Sequence, residues 1–224
     1  MSSPTPAHPS ATPSLTERRK AATRMEIARA AAALFVKQGL RATRAEDIAQ
    51  AAGIAPRTFY RYFATKEEAV APLYAAGADR WAEAVRTAPP ELPVSQALEH
   101  ATRHILTPDA GVSARSWEWV RTLVRLADSS PALRKVWAEA CHEAEARLAE
   151  ILARRNEGDD NVAAPAPGLR FAAAVAAASV RVAVENWAAG DAPAQGAEGP
   201  APLAMRNLAA LRDFPWEDIT ARPA

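Results

Sequence analysis

Three Ser/Thr-x-x-Glu boxes stand within the first seventy residues: Ser14 with Glu17, Thr43 with Glu46, and Thr65 with Glu68. Such a box opens a helix, because the hydroxyl accepts an N–H of the first turn while the carboxylate returns to the N–H of the cap. Gly39 and Gly53 supply stops, since glycine tolerates the left-handed backbone that ends a helix. The first helix, from 14 to 39, carries the apolar stripe Ile27, Ala31, Leu34 and Phe35. The second is short and faces inward with Ile48, Ala49 and Ala52, after which Ile54 and Ala55 make a turn. A third short helix opens on Pro56, where a missing N–H costs least, and buries Phe59 and Phe63. Two short helices joined at a glycine turn have the dimensions of a helix-turn-helix.

Charge points the same way. Residues 15–70 hold eleven Lys/Arg against six Asp/Glu, and residues 71–224 hold sixteen against twenty, so the net charge of +1 conceals a basic module on a weakly acidic body. A basic module seeks phosphate. With the two phenylalanines inward, the third helix offers Pro56, Arg57, Thr58, Tyr60, Arg61 and Tyr62. Arg57 and Arg61 are one turn apart, so they share a helix face, can both point into one groove, and either can fork onto guanine O6 and N7. Thr43, with Arg44 beside it, and Lys66 stand at helix starts, where unpaired N–H groups and the dipole favour phosphate. A solvated basic face on an ordinary three-helix lobe is the competing reading of charge and spacing alone.

At this point the residues carry a family likeness. The string Ile27-Ala28-Arg29-Ala30-Ala31, Leu34-Phe35, Gly39, Thr43, Asp47-Ile48-Ala49, Ala52-Gly53-Ile54, Thr58-Phe59-Tyr60-Arg61-Tyr62-Phe63, Lys66-Glu67 is similar to the TetR family of bacterial transcriptional regulators. The resemblance implies an all-helical homodimer, with a three-helix DNA-binding domain ahead of a larger domain for ligand and dimer contacts. It further implies that Thr43 and Tyr60 touch phosphate, that Arg57, Thr58 and Arg61 face bases, and that Lys66 neutralises a phosphate. Ala55 departs from the family's usual capping serine, a loss of about 1 kcal/mol that the preset φ of Pro56 partly offsets. Pro72 is a second departure. It predicts a kink or break near residues 69–71, which either changes how the fourth helix transmits motion or is simply tolerated.

The remainder reads as helix throughout. Ala-rich stretches, scarce Gly and 6% aromatic content favour an all-α fold of about nine helices, with no strand pattern or internal repeat. Beyond the fourth helix, segments near 95–106, 112–127, 131–155, 169–189 and 202–212 carry apolar positions at helical spacing. The domain plan is a disordered tail at 1–13, the DNA-binding domain at 14–66, a ligand and dimer domain at 67–213, and a tail at 214–224. Trp81, Trp117, Trp119, Trp137 and Trp187 are candidate walls of an apolar ligand cavity and equally candidate core. Arg121 and Arg125, one turn apart, are candidates to hold an anionic end in that cavity or a pair of surface ion-pair formers. The Ala-rich helix from Leu169 and the last helix are the candidate dimer surface, with packing inside one monomer as the alternative. The stretches 117–155 and 181–187 also resemble, more weakly, the family's subgroup responding to fatty-acyl-CoA or similar ligands, including mycofactocin-associated regulators.

Chemistry of other kinds finds little support. His100 and His104 have the spacing of a metal pair, but no HExxH pattern or nearby Cys joins them, and no cofactor or metal is expected. No phosphate loop, nucleophile elbow or acid/base pair argues for an enzyme. Lone Cys141 fits core filling in a reducing compartment better than a redox switch. The absence of a signal peptide or purely apolar span predicts a cytoplasmic protein that avoids the membrane. The expected function is a dimeric repressor that binds a double-stranded operator and leaves when a hydrophobic small molecule, such as a fatty-acyl-CoA, fills its pocket. Two alternatives are an efflux-pump regulator answering a drug-like ligand and a DNA-binding protein gated by a protein partner.

Overall fold

The computed structural model describes residues 14–107, 114–157 and 165–216, and among them every regular element is helical. Helix α1 is Leu15–Gln38, α2 is Ala45–Ala51 and α3 is Pro56–Tyr62. The Ser14 hydroxyl accepts from the Glu17 N–H at 3.2 Å and the Glu17 carboxylate accepts from the Ser14 N–H at 2.7 Å, so the first box is complete. The Ser14 backbone hydrogen bond holds the Glu17 carboxyl below its ordinary range. Gly39 and Gly53 adopt φ of 83° and 68°, the left-handed region that a side chain would strain.

The second box is displaced by one residue. Arg44, and not Thr43, is the N-cap of α2, and its N–H donates to the Asp47 carboxylate at 2.8 Å. Acids stand at both 46 and 47, so two registers compete, and Thr43 is drawn inward to close the loop after α1. Helix α3 starts as expected, with Pro56 in its first turn and Ala55 giving no side-chain cap.

The third box leads into a 3-10 turn, Glu68–Val70, and α4, Ala71–Thr87, begins only after it. The Thr65 hydroxyl accepts from the Glu68 N–H, while the Glu68 carboxylate reaches the Ala64 N–H at 3.0 Å. The break near 69–71 is therefore present as a change of helix type. Pro72 lies in the first turn of α4, where it opens a helix and kinks none.

Helices α5 (Val94–Leu106), α6 (Ala114–Ser129), α7 (Pro131–Glu157), α8 (Pro167–Ala189) and α9 (Pro200–Ala210) complete the chain, within a few residues of the expected edges. One core joins Trp81, Val85, Leu98, Leu148, Leu152, Leu169 and Ala176 across α4, α5, α7 and α8. Trp216 is buried in that core, with Phe214 against it at a ring distance of 4.4 Å. Residues 214–216 thus belong to the fold, which corrects the expectation of a tail from 214. Two aromatic rings cover the end of the bundle without any helical periodicity to announce them. The tails at 1–13 and 217–224, residues 108–113 and the middle of the loop after α7 fall outside the described residues.

A second core holds Ile27, Ala31, Phe35, Ile48, Ala49, Phe59, Phe63 and Val70, and continues into Tyr74, Leu123, Leu133, Val136 and Ala140. The DNA-binding lobe therefore rests on α4, α6 and α7 through shared side chains. Helix α8 is long and apolar enough to cross a membrane by length and composition, yet here it packs against α6, α7 and α9 as a core helix.

Candidate DNA-binding face and ligand cavity

Phe59 has no exposed surface and Phe63 almost none, with ring centroids 5.9 Å apart. Their burial fixes the roll of α3. Pro56, Arg57, Tyr60 and Arg61 are consequently exposed, and Thr58 and Tyr62 are half-buried at the margin. Among the described residues the Arg57 guanidinium makes no hydrogen bond or ion pair, and that of Arg61 makes only a 5.5 Å approach to the Tyr62 ring. Guanidinium groups with all five donors unused suit bidentate contact with a base edge or a phosphate. Arg44 is exposed at the start of α2, paired with Glu46 at 3.5 Å, and such a surface pair yields readily to a stronger anion.

The two residues expected at phosphate are both tied into the protein. The Thr43 side chain is fully buried, donating to the Gly39 carbonyl at 2.8 Å and accepting from Gln38, so its hydroxyl is not presented to DNA in this conformation. Lys66 Nζ donates to the carbonyls of Leu40 and Thr43 at 2.7 Å each, and so staples the loop between α1 and α2. One of its three donors remains for another partner. Replacing Lys66→Met is expected to lower the free energy of unfolding by about 1.5–3 kcal/mol, as hydrogen bonds from a charged donor are lost. Urea unfolding reads this, and an unchanged midpoint would remove the staple. Arg24, which the sequence reading passed over, donates to the Tyr62 carbonyl at 3.0 Å and lies 4.5 Å from the Phe63 ring centroid. It fastens the end of α3 to α1, and nothing in its sequence neighbourhood signals that role.

Above this lobe lies a cavity of about 700 Å³ lined from α1, α4, α5, α6, α7 and α8. Of the expected walls, Trp81, Trp117, Trp119 and Trp137 line it, and Tyr74 joins them. Trp187 does not. It packs edge-on against Trp117 at 5.4 Å and donates to the Ala192 carbonyl, making it core. Two of the wall indoles are anchored: Trp81 donates to Thr102 at 3.0 Å, and Trp137 to Glu185 at 2.7 Å, with Arg181 bracing the same carboxylate at 3.1 Å. Tyr74 donates to the Leu123 carbonyl at 2.9 Å, and burial pushes its phenol well above the ordinary range. Burial likewise pushes the Cys141 thiol up to about 12, so it lines the cavity as a neutral group at physiological pH.

Arg121 and Arg125 do not line this cavity and offer no seat there for an anionic end of an occupant. Arg121 lies 4.3 Å from the Trp187 ring centroid and donates to the Ala192 carbonyl. Arg125 donates to the carbonyls of Ala188 and Gly190 and to Asp191, and the bond to Asp191 holds that carboxyl below its usual range. Both clamp the end of α8, whose last carbonyls have no partner within the helix. The spacing of four was legible, but the carbonyls it serves lie more than sixty residues away.

A helix-turn-helix with exposed arginines on its second helix, seated on a helical body with an apolar cavity, defines a DNA-binding regulator. Residues 27–71 match the model of the bacterial regulatory proteins, tetR family. The HTH-type transcriptional regulator TcmR of Streptomyces glaucescens is 33% identical over 178 residues, covering 78% of this chain and 77% of that protein. The HTH-type transcriptional repressor KstR2 of Mycobacterium tuberculosis is 50% identical over 50 residues, 22% of this chain and 25% of that one. Thermus thermophilus FadR, a TetR family repressor solved in complex with lauroyl-CoA, superposes with a TM-score of 0.55 at 23% identity, covering 90% of this chain and 97% of its own. AlkX of Dietzia sp. gives 0.54 at 20% identity over 88% and 97% of the two chains, and both structures speak to the fold alone. The chain belongs to the TetR family of transcriptional regulators.

Proposed function

We propose that this regulator is a cytoplasmic homodimeric repressor whose α3 reads a double-stranded operator and which leaves DNA when an apolar small molecule fills the cavity. The carrying observation is the pair of guanidinium groups, Arg57 and Arg61, which make no hydrogen bond or ion pair among the described residues, on the exposed face of a helix whose other face is locked by Phe59 and Phe63. Thr58, Tyr60 and Tyr62 flank them, and Arg44 supports the phosphate backbone.

Release follows from where the cavity lies. Met25 and Arg29 of α1 line it together with Leu73, Tyr74 and Gly77 of α4, so an occupant touches the DNA-binding lobe and its support at once. It acts only by binding the DNA-incompetent arrangement more tightly, and reversing a 99:1 population takes about 10⁴-fold preference. The fatty-acyl-CoA class is one occupant of this kind. Its acyl portion matches the apolar walls, and lauroyl-CoA is bound by the FadR of similar fold. Titrating candidate ligands while following tryptophan fluorescence and operator gel shift together tests the coupling. Quenching of Trp81, Trp117, Trp119 and Trp137 should parallel release, and a ligand that quenches at saturation yet leaves every complex on DNA would contradict it.

Dimerisation is assigned to α8. Phe171 is 54% exposed and Val182 38% exposed, and eleven residues make close to three turns, so they share one face. Phe171→Glu with Val182→Glu is expected to shift the protein from dimer to monomer in analytical ultracentrifugation and to weaken operator binding, whereas an intact dimer would place the interface elsewhere.

A further inference from the structure

We infer that the cavity's occupant is an amphipathic anion, an apolar body carrying a carboxylate, sulfonate or phosphate head that is held by Arg29 of α1 and Arg80 of α4. This rests on the reading that the cavity binds the effector, and it replaces Arg121 and Arg125 as the source of positive charge.

Arg29 and Arg80 both line the cavity and both are exposed, which puts them where it meets solvent. Among the described residues neither guanidinium makes a hydrogen bond or an ion pair. The acids along the same helices leave them free. Asp79 is taken by Arg147 at 2.8 Å, Glu83 is paired with Arg86, and Glu26 makes no ion pair with Arg29. The third cation of the lining, Arg181, is committed to Glu185, and Glu145 of α7 is the single acid among the described lining residues. Two uncompensated forks beside tryptophan walls form an apolar site with a few polar groups that fix orientation.

Position makes the pair regulatory. Arg29 stands among Ile27, Ala28 and Ala31, which are core of the DNA-binding lobe, whereas Arg80 belongs to α4, seven residues beyond Leu73 on the cavity stripe. An anion gripped by both bridges two elements whose relative position sets the recognition helix.

The test uses the full chain and two dyes that share an apolar aromatic body, 8-anilinonaphthalene-1-sulfonate and its uncharged counterpart N-phenyl-1-naphthylamine. The parent protein is expected to prefer the sulfonate by about tenfold or more, the gain of charge-assisted bonds. Arg29→Gln with Arg80→Gln should bring that ratio to about one, and Gly77→Phe, which fills the cavity, should weaken both dyes. Equal affinities in the parent, or a ratio that survives the double substitution, would overturn the anion site while leaving the cavity reading intact. If Gly77→Phe weakens neither dye, both bind elsewhere, and the cavity reading falls together with the inference. Dodecanoate and lauroyl-CoA then compete as carboxylate and phosphate heads. Displacement of the sulfonate by either supports the site and identifies its head, and displacement by neither counts against it.

Discussion

Arg57→Ala combined with Arg61→Ala is expected to lower operator affinity by about 10²–10⁴-fold, because each bidentate base contact is worth about 1–3 kcal/mol. Folding should be untouched. Both side chains are exposed and hydrogen-bond to nothing in the described protein, so the urea midpoint should match that of the parent. Arg44→Ala provides the contrast. A phosphate contact carries no sequence information, so its loss should weaken all DNA alike and reduce the salt slope by about one. Gel-shift series at several salt concentrations read both variants, and retention of operator affinity within about threefold in the double variant would end the assignment of α3 to the bases.

Gly77→Phe is expected to hold the protein on its operator at effector concentrations that release the parent. Gly77 lines the cavity on α4, and a Cβ built there meets nothing within 4 Å, so the new ring enters open space. Replacing a glycine inside a helix also favours the helix by a few tenths of a kcal/mol, roughly, so the variant should be at least as stable as the parent. The effector must compete with a resident side chain, and its half-maximal concentration for release should rise about 10²-fold, corresponding to about 2.7 kcal/mol of lost binding. Fluorescence titration and gel shift with any compound that releases the parent measure this. Release at the parent's concentration would mean that the effector occupies another site.

How far these features were legible depended on whether the partner was local. Ser14 with Glu17, the left-handed Gly39 and Gly53, and Pro56 in the first turn of α3 are decided within a few residues, and they stand as read. The register of α2 slipped because Glu46 and Asp47 offered two caps one residue apart, and the cap that leaves Thr43 free to bond Gly39 prevails. Lys66 shows the opposite limit. Its place at a helix start suggested phosphate, yet Leu40 and Thr43, more than twenty residues upstream, satisfy two of its donors. Trp81, Trp117, Trp137 and Trp187 have similar local patterns, and only packing separates three cavity walls from one core ring. Nothing in the sequence around Arg29 and Arg80 marks them as neighbours of one cavity, since no local pattern places α1 against the same void as α4.

The central claim, that this chain reads a specific operator through α3, is met most directly by selection from a random double-stranded DNA pool with the full-length protein at physiological salt, followed by footprinting of the enriched sequence. The expected result is a near-palindromic site whose half-site centres lie about 34–36 Å apart or somewhat more, as two recognition helices of a two-fold dimer demand, and which Arg57→Ala with Arg61→Ala fails to protect. A pool that stays random through successive rounds with folded protein, or a footprint that the double variant reproduces, would contradict it.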